Sequence, residues 1–118
     1  LKRTVPVVAF TGDTRFSIFD QPAHPDLLKV RLLITEATYL DRPDKHMSNA
    51  QLHGHIHLLQ YAQNADLFHA VEALYLIHFS DRYSVRQIMD LVNMTLPGAL
   101  LKKTFLCLAA KKAQNLDC

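Results

Sequence analysis

Three features of this 118-residue sequence predict an α/β fold. Short apolar runs rich in β-branched and leucine residues recur without the polar alternation of a half-exposed sheet. Segments with helical periodicity alternate with the later runs, and each run stops abruptly at turn or polar residues. The length suits one domain.

Residues 5–10 (VPVVAF), closed by Thr11-Gly12-Asp13-Thr14, predict a buried strand meeting a sharp turn. Turn-formers fill 16–25, and residues 25–29 read as one helical turn with Pro25 early in it. Residues 30–35 (VRLLIT) predict a second strand, which delivers Glu36 at its carboxyl end. The polar stretch 41–54 holds Pro43, Asp44, Asn49 and Gly54 and shows no sustained period, so a long surface loop is expected. From Ile56, the residues Leu58, Leu59, Ala62, Ala65 and Phe68 recur at helical spacing, predicting a helix of about three turns with His55 at its N-terminus. Residues 73–77 (ALYLI) predict a third strand stopping at His78, and Ser84 a cap for a helix with Val85, Ile88, Met89 and Val92 inward. Residues 104–108 complete the set as a last strand. Strands without period-2 alternation are expected to be buried on both faces.

Half the residues are apolar (49%), a fifth are charged, and 3 Gly and 5 Pro interrupt them, which is globular composition. The net charge of +2 is scattered rather than blocked, so non-specific electrostatic capture of nucleic acid is not indicated. Cys107 and Cys118 give neither a disulfide framework nor a CxxC pair, and a reducing compartment is expected. Apolar stretches fall short of the about 18 residues of a membrane span, and the start has no signal-peptide profile. The chain opens on Leu1 and is already in a strand by Val5, which predicts that a further segment precedes it.

Asp13, Glu36 and His78 each end an apolar strand. Open α/β sheets bind ligands outside the carboxyl ends of their strands, so the three share one rim if the strands run the same way, with His55 facing it. Taken singly, each has a structural reading: Gly-Asp is turn-forming, a strand-end carboxylate often caps a backbone N–H, and a strand-end histidine is often only hydrogen-bonded. His53, His55 and His57 have the HxH spacing that can present two imidazoles to zinc from an extended chain. No Cys, Asp or Glu stands beside them at ligand spacing, and a helix starting at His55 turns His57 roughly 200° away, so metal binding there is disfavoured. His24, His46 and His69 are expected to be solvated.

Four motifs in order then carry a resemblance: Val8-Ala9-Phe10-Thr11-Gly12-Asp13-Thr14; Leu33-Ile34-Thr35-Glu36-Ala37-Thr38-Tyr39-Leu40-Asp41; Gly54-His55 opening a helix; and Leu76-Ile77-His78-Phe79-Ser80-Asp81-Arg82-Tyr83. Together they resemble the C-terminal half of ribonuclease Z, the tRNA 3′-processing endoribonuclease of the metallo-β-lactamase superfamily. The resemblance spans most of residues 7–83 and is looser over 84–118. It implies that residues 1–118 form half of a four-layer αββα sandwich, from a zinc-dependent phosphodiesterase that removes 3′ trailers from tRNA precursors and leaves a tRNA 3′-hydroxyl.

Carried over by position, Asp13 matches the aspartate bridging two zinc ions and His78 a terminal ligand of one of them. Glu36 matches the glutamate of a His-Glu-Ala-Thr loop, with Thr35 in place of that loop's histidine. His55 matches the histidine of a His-Ser-Thr loop that pairs with the glutamate and protonates the leaving oxygen; Ile56 and His57 replace its two hydroxyl residues. Arg82 matches an arginine that meets substrate phosphate. The family's His-x-His-x-Asp-His signature is not in this sequence, so these 118 residues alone are expected to lack a complete dinuclear centre and to be inactive. The resemblance also makes a homodimer, a tRNA precursor partner and a non-membrane location the expectation. A non-catalytic binding or scaffold protein of the same fold, or another hydrolase of that superfamily, are the competing readings.

Overall fold

Four parallel strands lie side by side in chain order in a computed structural model that describes residues 7–20 and 26–108: β1 (Val8–Phe10), β2 (Leu32–Glu36), β3 (Ala73–Ile77) and β4 (Thr104–Leu106). Between them run α1 (Pro43–His53), α2 (Leu58–Gln63), α3 (Val85–Thr95) and α4 (Gly98–Leu101), with 3-10 turns at Phe16–Asp20, Leu27–Lys29 and Ala65–Phe68. The result is a mixed α/β domain built on a parallel sheet. Val5, Pro25, His24 and Cys118 fall outside the described residues.

The register divides the strand residues into two faces. Ala9, Leu33, Leu74 and Thr104 form one row, with Thr35, Leu76 and Leu106 the next row on the same side. Leu33, Leu74, Leu76 and Thr35 are fully buried there, in one core with Ile56, Leu58, Ile88 and Val92. Phe16, Phe19, Tyr61 and Phe68 join that core as an edge-to-face aromatic group, with Phe16 and Tyr61 centroids 5.5 Å apart and Phe19 and Phe68 5.2 Å apart. The alternate row, Phe10, Ile34, Tyr75 and Phe105, faces the other way and is half-buried or exposed. The expectation of strands buried on both faces is therefore corrected: among the described residues one face is covered. The sequence concealed the alternation because the uncovered positions are themselves apolar.

The stretch expected as a loop at 41–54 contains a helix. Arg42 (φ 46°) precedes α1, Pro43 occupies its first turn, and Gly54 (φ 74°) ends it with its N–H on the Ala50 carbonyl. Proline at the start and left-handed glycine at the end are strong boundary signals. The helix was hidden because only His46 and Ala50 are buried, too few apolar positions to show a period.

The helix expected from Ile56 begins two residues later, at Leu58, and breaks at Asn64 before the 3-10 turn. His57 is its N-cap, accepting at Nδ1 from the Leu59 N–H at 3.0 Å, while its own N–H donates to Gln60 Oε1 at 2.9 Å. Ser84 caps α3 as expected through a reciprocal pair with Gln87. The inner stripe of α3 is narrower than expected: Ile88 and Val92 are buried, Val85 is half-buried and Met89 is exposed. Among the described residues no helix is long and apolar enough to cross a membrane.

Candidate active site

Because all four strands run the same way, the loops after β1, β2 and β3 meet on one edge, and backbone bonds hold them there. Thr11 N–H donates to the Ile34 carbonyl, Ala37 N–H to Ile77 and Ser80 N–H to Thr38, each at 3.0 Å. The segment between α1 and α2 is pinned to the β2 loop by a bridge between Tyr39 and His57, with Leu58 N–H on the Tyr39 carbonyl at 2.8 Å. Arg15 ties the β1 loop to the end of α1 by donating to the Gln51 and Leu52 carbonyls.

These contacts bring together Asp13, Glu36, His55 and His78. One donor atom from each lies within 4.8 Å of the others. Glu36 is at the bottom, its side chain 1% exposed, while Asp13 and His78 stand at the mouth at 60% and 48%. A buried carboxylate is costly unless its oxygens are bonded, and those of Glu36 are. Oε1 accepts from the Ile56 N–H; Oε2 accepts from Thr38 Oγ1 at 3.0 Å and from His55 Nδ1 at 2.8 Å. An ionised carboxylate only accepts, so His55 carries its proton on Nδ1 and leaves Nε2 for whatever enters the rim.

His78 Nδ1 lies 3.1 Å from Thr38 Oγ1, 3.4 Å from Glu36 Oε2 and 3.6 Å from Asp13 Oδ1. The backbone at His78 is left-handed (φ 61°), a conformation that costs a non-glycine residue of order 1–3 kcal/mol and clusters at functional sites. The imidazoles of His55 and His78 stack at 5.4 Å.

Thr38, to which the sequence alone assigns no role, touches Glu36, His55 and His78 at once. The available signal was its place two residues beyond Glu36. Thr35 points away from the rim, into the covered face, bonded to Thr11 Oγ1 at 2.9 Å and to the Tyr61 hydroxyl at 3.1 Å. Burial pushes the Tyr61 hydroxyl pKa up, so it donates, here to Thr35 and to the Glu36 carbonyl at 2.7 Å.

A second polar network adjoins the first. His46, expected to be solvated, is buried on the inner side of α1, with Nδ1 3.1 Å from the Asp41 carbonyl and 3.2 Å from Asp41 Oδ1. Tyr83 donates to Asp41 Oδ1 at 2.6 Å; burial first, then that bond, raises its hydroxyl pKa to about 12. Arg82, which is exposed, donates through Nη1 to His46 Nε2 at 2.6 Å and through Nε to Ser80 at 3.2 Å, with its guanidinium over the Tyr39 ring. His57 Nε2 donates to the Asp41 carbonyl at 2.8 Å. Both its ring nitrogens are thus engaged by backbone, which makes it a cap, and desolvation lowers its pKa. His53 and His69 are exposed, as expected for His69.

No protein-family model matches the chain. Two curated relatives do. It is 39% identical over 100 residues to tRNase Z TRZ1 of Arabidopsis thaliana, covering 85% of this chain and 35% of that protein. It is 41% identical over 87 residues to the chloroplastic tRNase Z TRZ2 of the same plant, 74% of this chain and 24% of the relative. Over most of its length the chain is a homologue of plant tRNase Z. It spans about a third of one tRNase Z and a quarter of the other.

The donor set fits part of a zinc site. An exposed carboxylate and an imidazole converge at Asp13 and His78, a ligand chemistry zinc accepts. The Glu36 oxygens, by contrast, already accept hydrogen bonds from the Ile56 N–H, Thr38 Oγ1 and His55 Nδ1. Among the described residues this is a single, partial cluster.

Proposed function

We propose that these residues form the C-terminal half of an αββα sandwich in a zinc-dependent endoribonuclease that removes 3′ trailers from tRNA precursors by phosphodiester hydrolysis. The half-sandwich reading is supported by the uncovered apolar face at Phe10, Ile34, Tyr75 and Phe105, the surface a second sheet would pack on. The observation that carries the catalytic reading is the 2.8 Å contact between the buried Glu36 carboxylate and His55 Nδ1, on the same rim as Asp13 and His78.

Asp13 and His78 would hold zinc together with ligands from the rest of the protein, Asp13 as a bridge because a carboxylate has two oxygens to share. Zinc, when bound, supplies Lewis acidity that makes water a competent nucleophile near neutrality and offsets charge on the phosphate. His55 donates the proton that the departing 3′-oxygen needs, through Nε2. Glu36 holds the ring by Nδ1 and stabilises its protonated form. Thr38 and the Ile56 N–H keep the Glu36 oxygens fixed, so the pair meets substrate without reorganising. Arg82 receives a phosphate of the polynucleotide.

The test is a double-mutant cycle in the full-length protein. His55→Ala and Glu36→Ala each lose most of kcat on a tRNA precursor, with zinc content and precursor binding close to wild type. The double mutant is little worse than either single, because groups acting as a unit are non-additive. Additive losses would return His55 and Glu36 to structural roles.

A further inference from the structure

We propose that His46 is a positioning residue for Arg82, fixing its guanidinium to receive a substrate phosphate. The inference rests on the assignment of Arg82 as the phosphate contact in the function proposed above, and goes beyond it by saying what aims that side chain.

A long exposed arginine samples many rotamers and loses conformational entropy when held, so a side chain already fixed binds an anion at less cost. Here three groups hold it. The Ser80 hydroxyl accepts from Nε, the Tyr39 ring lies under the guanidinium at 5.5 Å, and His46 Nε2 accepts from Nη1 at 2.6 Å. Tyr39 also stands edge-on to His55, with centroids 6.3 Å apart, so the held guanidinium is one side chain away from the acid–base pair.

Only a neutral imidazole with a bare Nε2 can accept from arginine, and the protein sets that tautomer from behind. Asp41 offers its carbonyl and Oδ1 to His46 Nδ1, which places the proton there. Asp41 is itself fixed by the Tyr83 hydroxyl, which in turn accepts from the Leu40 N–H at 3.1 Å. His46 is also clamped face-to-face on Tyr39, with centroids 5.4 Å apart. The relay Tyr83, Asp41, His46, Arg82 therefore runs from buried backbone to an exposed cation. Of its donors, Arg82 spends one on His46 and one on Ser80, and an exposed guanidinium keeps others for an anion.

The test uses the full-length protein and steady-state cleavage of a tRNA precursor. Arg82→Ala raises KM about tenfold or more, with kcat changed far less. His46→Phe keeps the ring stacked on Tyr39 but removes the acceptor, and raises KM several-fold. His46→Gln, which restores a side-chain acceptor, recovers most of that loss. Combining His46→Phe with Arg82→Ala adds little to Arg82→Ala alone. Tyr83→Phe, which strips Asp41 of its donor without touching Arg82, raises KM in the same direction and serves as an independent arm if His46→Phe does not fold. Arg82→Ala at wild-type KM would overturn the phosphate reading of Arg82 itself. Arg82→Ala impaired, with His46→Phe and Tyr83→Phe at wild-type KM or with His46→Gln as poor as His46→Phe, would overturn the positioning role alone.

Discussion

Asp13 and His78 face the same space but differ in what their removal would do. A carboxylate offers two oxygens to two ions, and an imidazole offers one nitrogen to one. Asp13→Ala in the full-length protein should therefore lower bound zinc and activity more than His78→Ala does. Zinc per protein, measured on the purified variants, checks this; unchanged stoichiometry in Asp13→Ala would remove that residue from the ligand set. The four strand-end and helix-start residues were legible in the sequence because each is a polar group terminating or preceding an apolar run. Thr38 and His46 were not, since a threonine in a loop and a histidine in a polar stretch look the same whether solvated or buried. Their roles come from long-range packing: Thr38 reaches His78, and His46 reaches Arg82. Thr35 shows the converse. Its difference from the family motif stood out in sequence, yet the side chain lies under Tyr61, so the substitution subtracts nothing from the rim.

The helices are held by their ends more than by their faces. His57 must be neutral to cap α2, because its Nδ1 accepts from Leu59 while Nε2–H donates to Asp41. Its folded pKa lies below the usual histidine value through desolvation, so the unfolded chain binds the proton more readily. This contribution to stability is complete above about pH 6.5 and is lost as pH falls from there towards the depressed folded value. Urea midpoints between pH 8 and 5 should fall on acidification, and His57→Asn, a non-titrating cap, should flatten the slope; an unchanged slope would contradict it. Ser84→Ala should cost about 1 kcal/mol by loss of the α3 cap, measured in the same titrations. Strand positions and the start of α3 were readable from apolar runs and one serine. The helix α1 was not, because its signals are Pro43 and Gly54 rather than a stripe, and both residues equally favour loops.

At the scale of the molecule, the described residues cover one sheet face, and the other presents Val8, Phe10, Tyr75 and Phe105 to solvent. In half of a sandwich, the sequence alone leads one to expect apolar strand residues such as Val7, Leu33 and Leu76 to lose packing partners. Val7 is exposed, whereas Leu33 and Leu76 lie on the covered face, because alternation along a strand cannot be phased when both rows are apolar. An apolar patch of this kind drives association. The 118 residues expressed alone should elute as aggregates or melt without cooperativity, and Tyr75→Lys with Phe105→Lys should shift them towards monomer; a monodisperse, cooperatively melting wild-type chain would argue that nothing needs to cover this face. The central claim, that this rim contributes a leaving-group acid to phosphodiester hydrolysis, is tested most directly by changing the leaving atom. In the full-length protein, a precursor with sulfur in place of the bridging 3′-oxygen at the cleavage site needs no proton to depart. Cleavage of that substrate by His55→Ala should approach the wild-type rate, while Asp13→Ala stays impaired. No rescue of His55→Ala, or equal rescue of both variants, would contradict it.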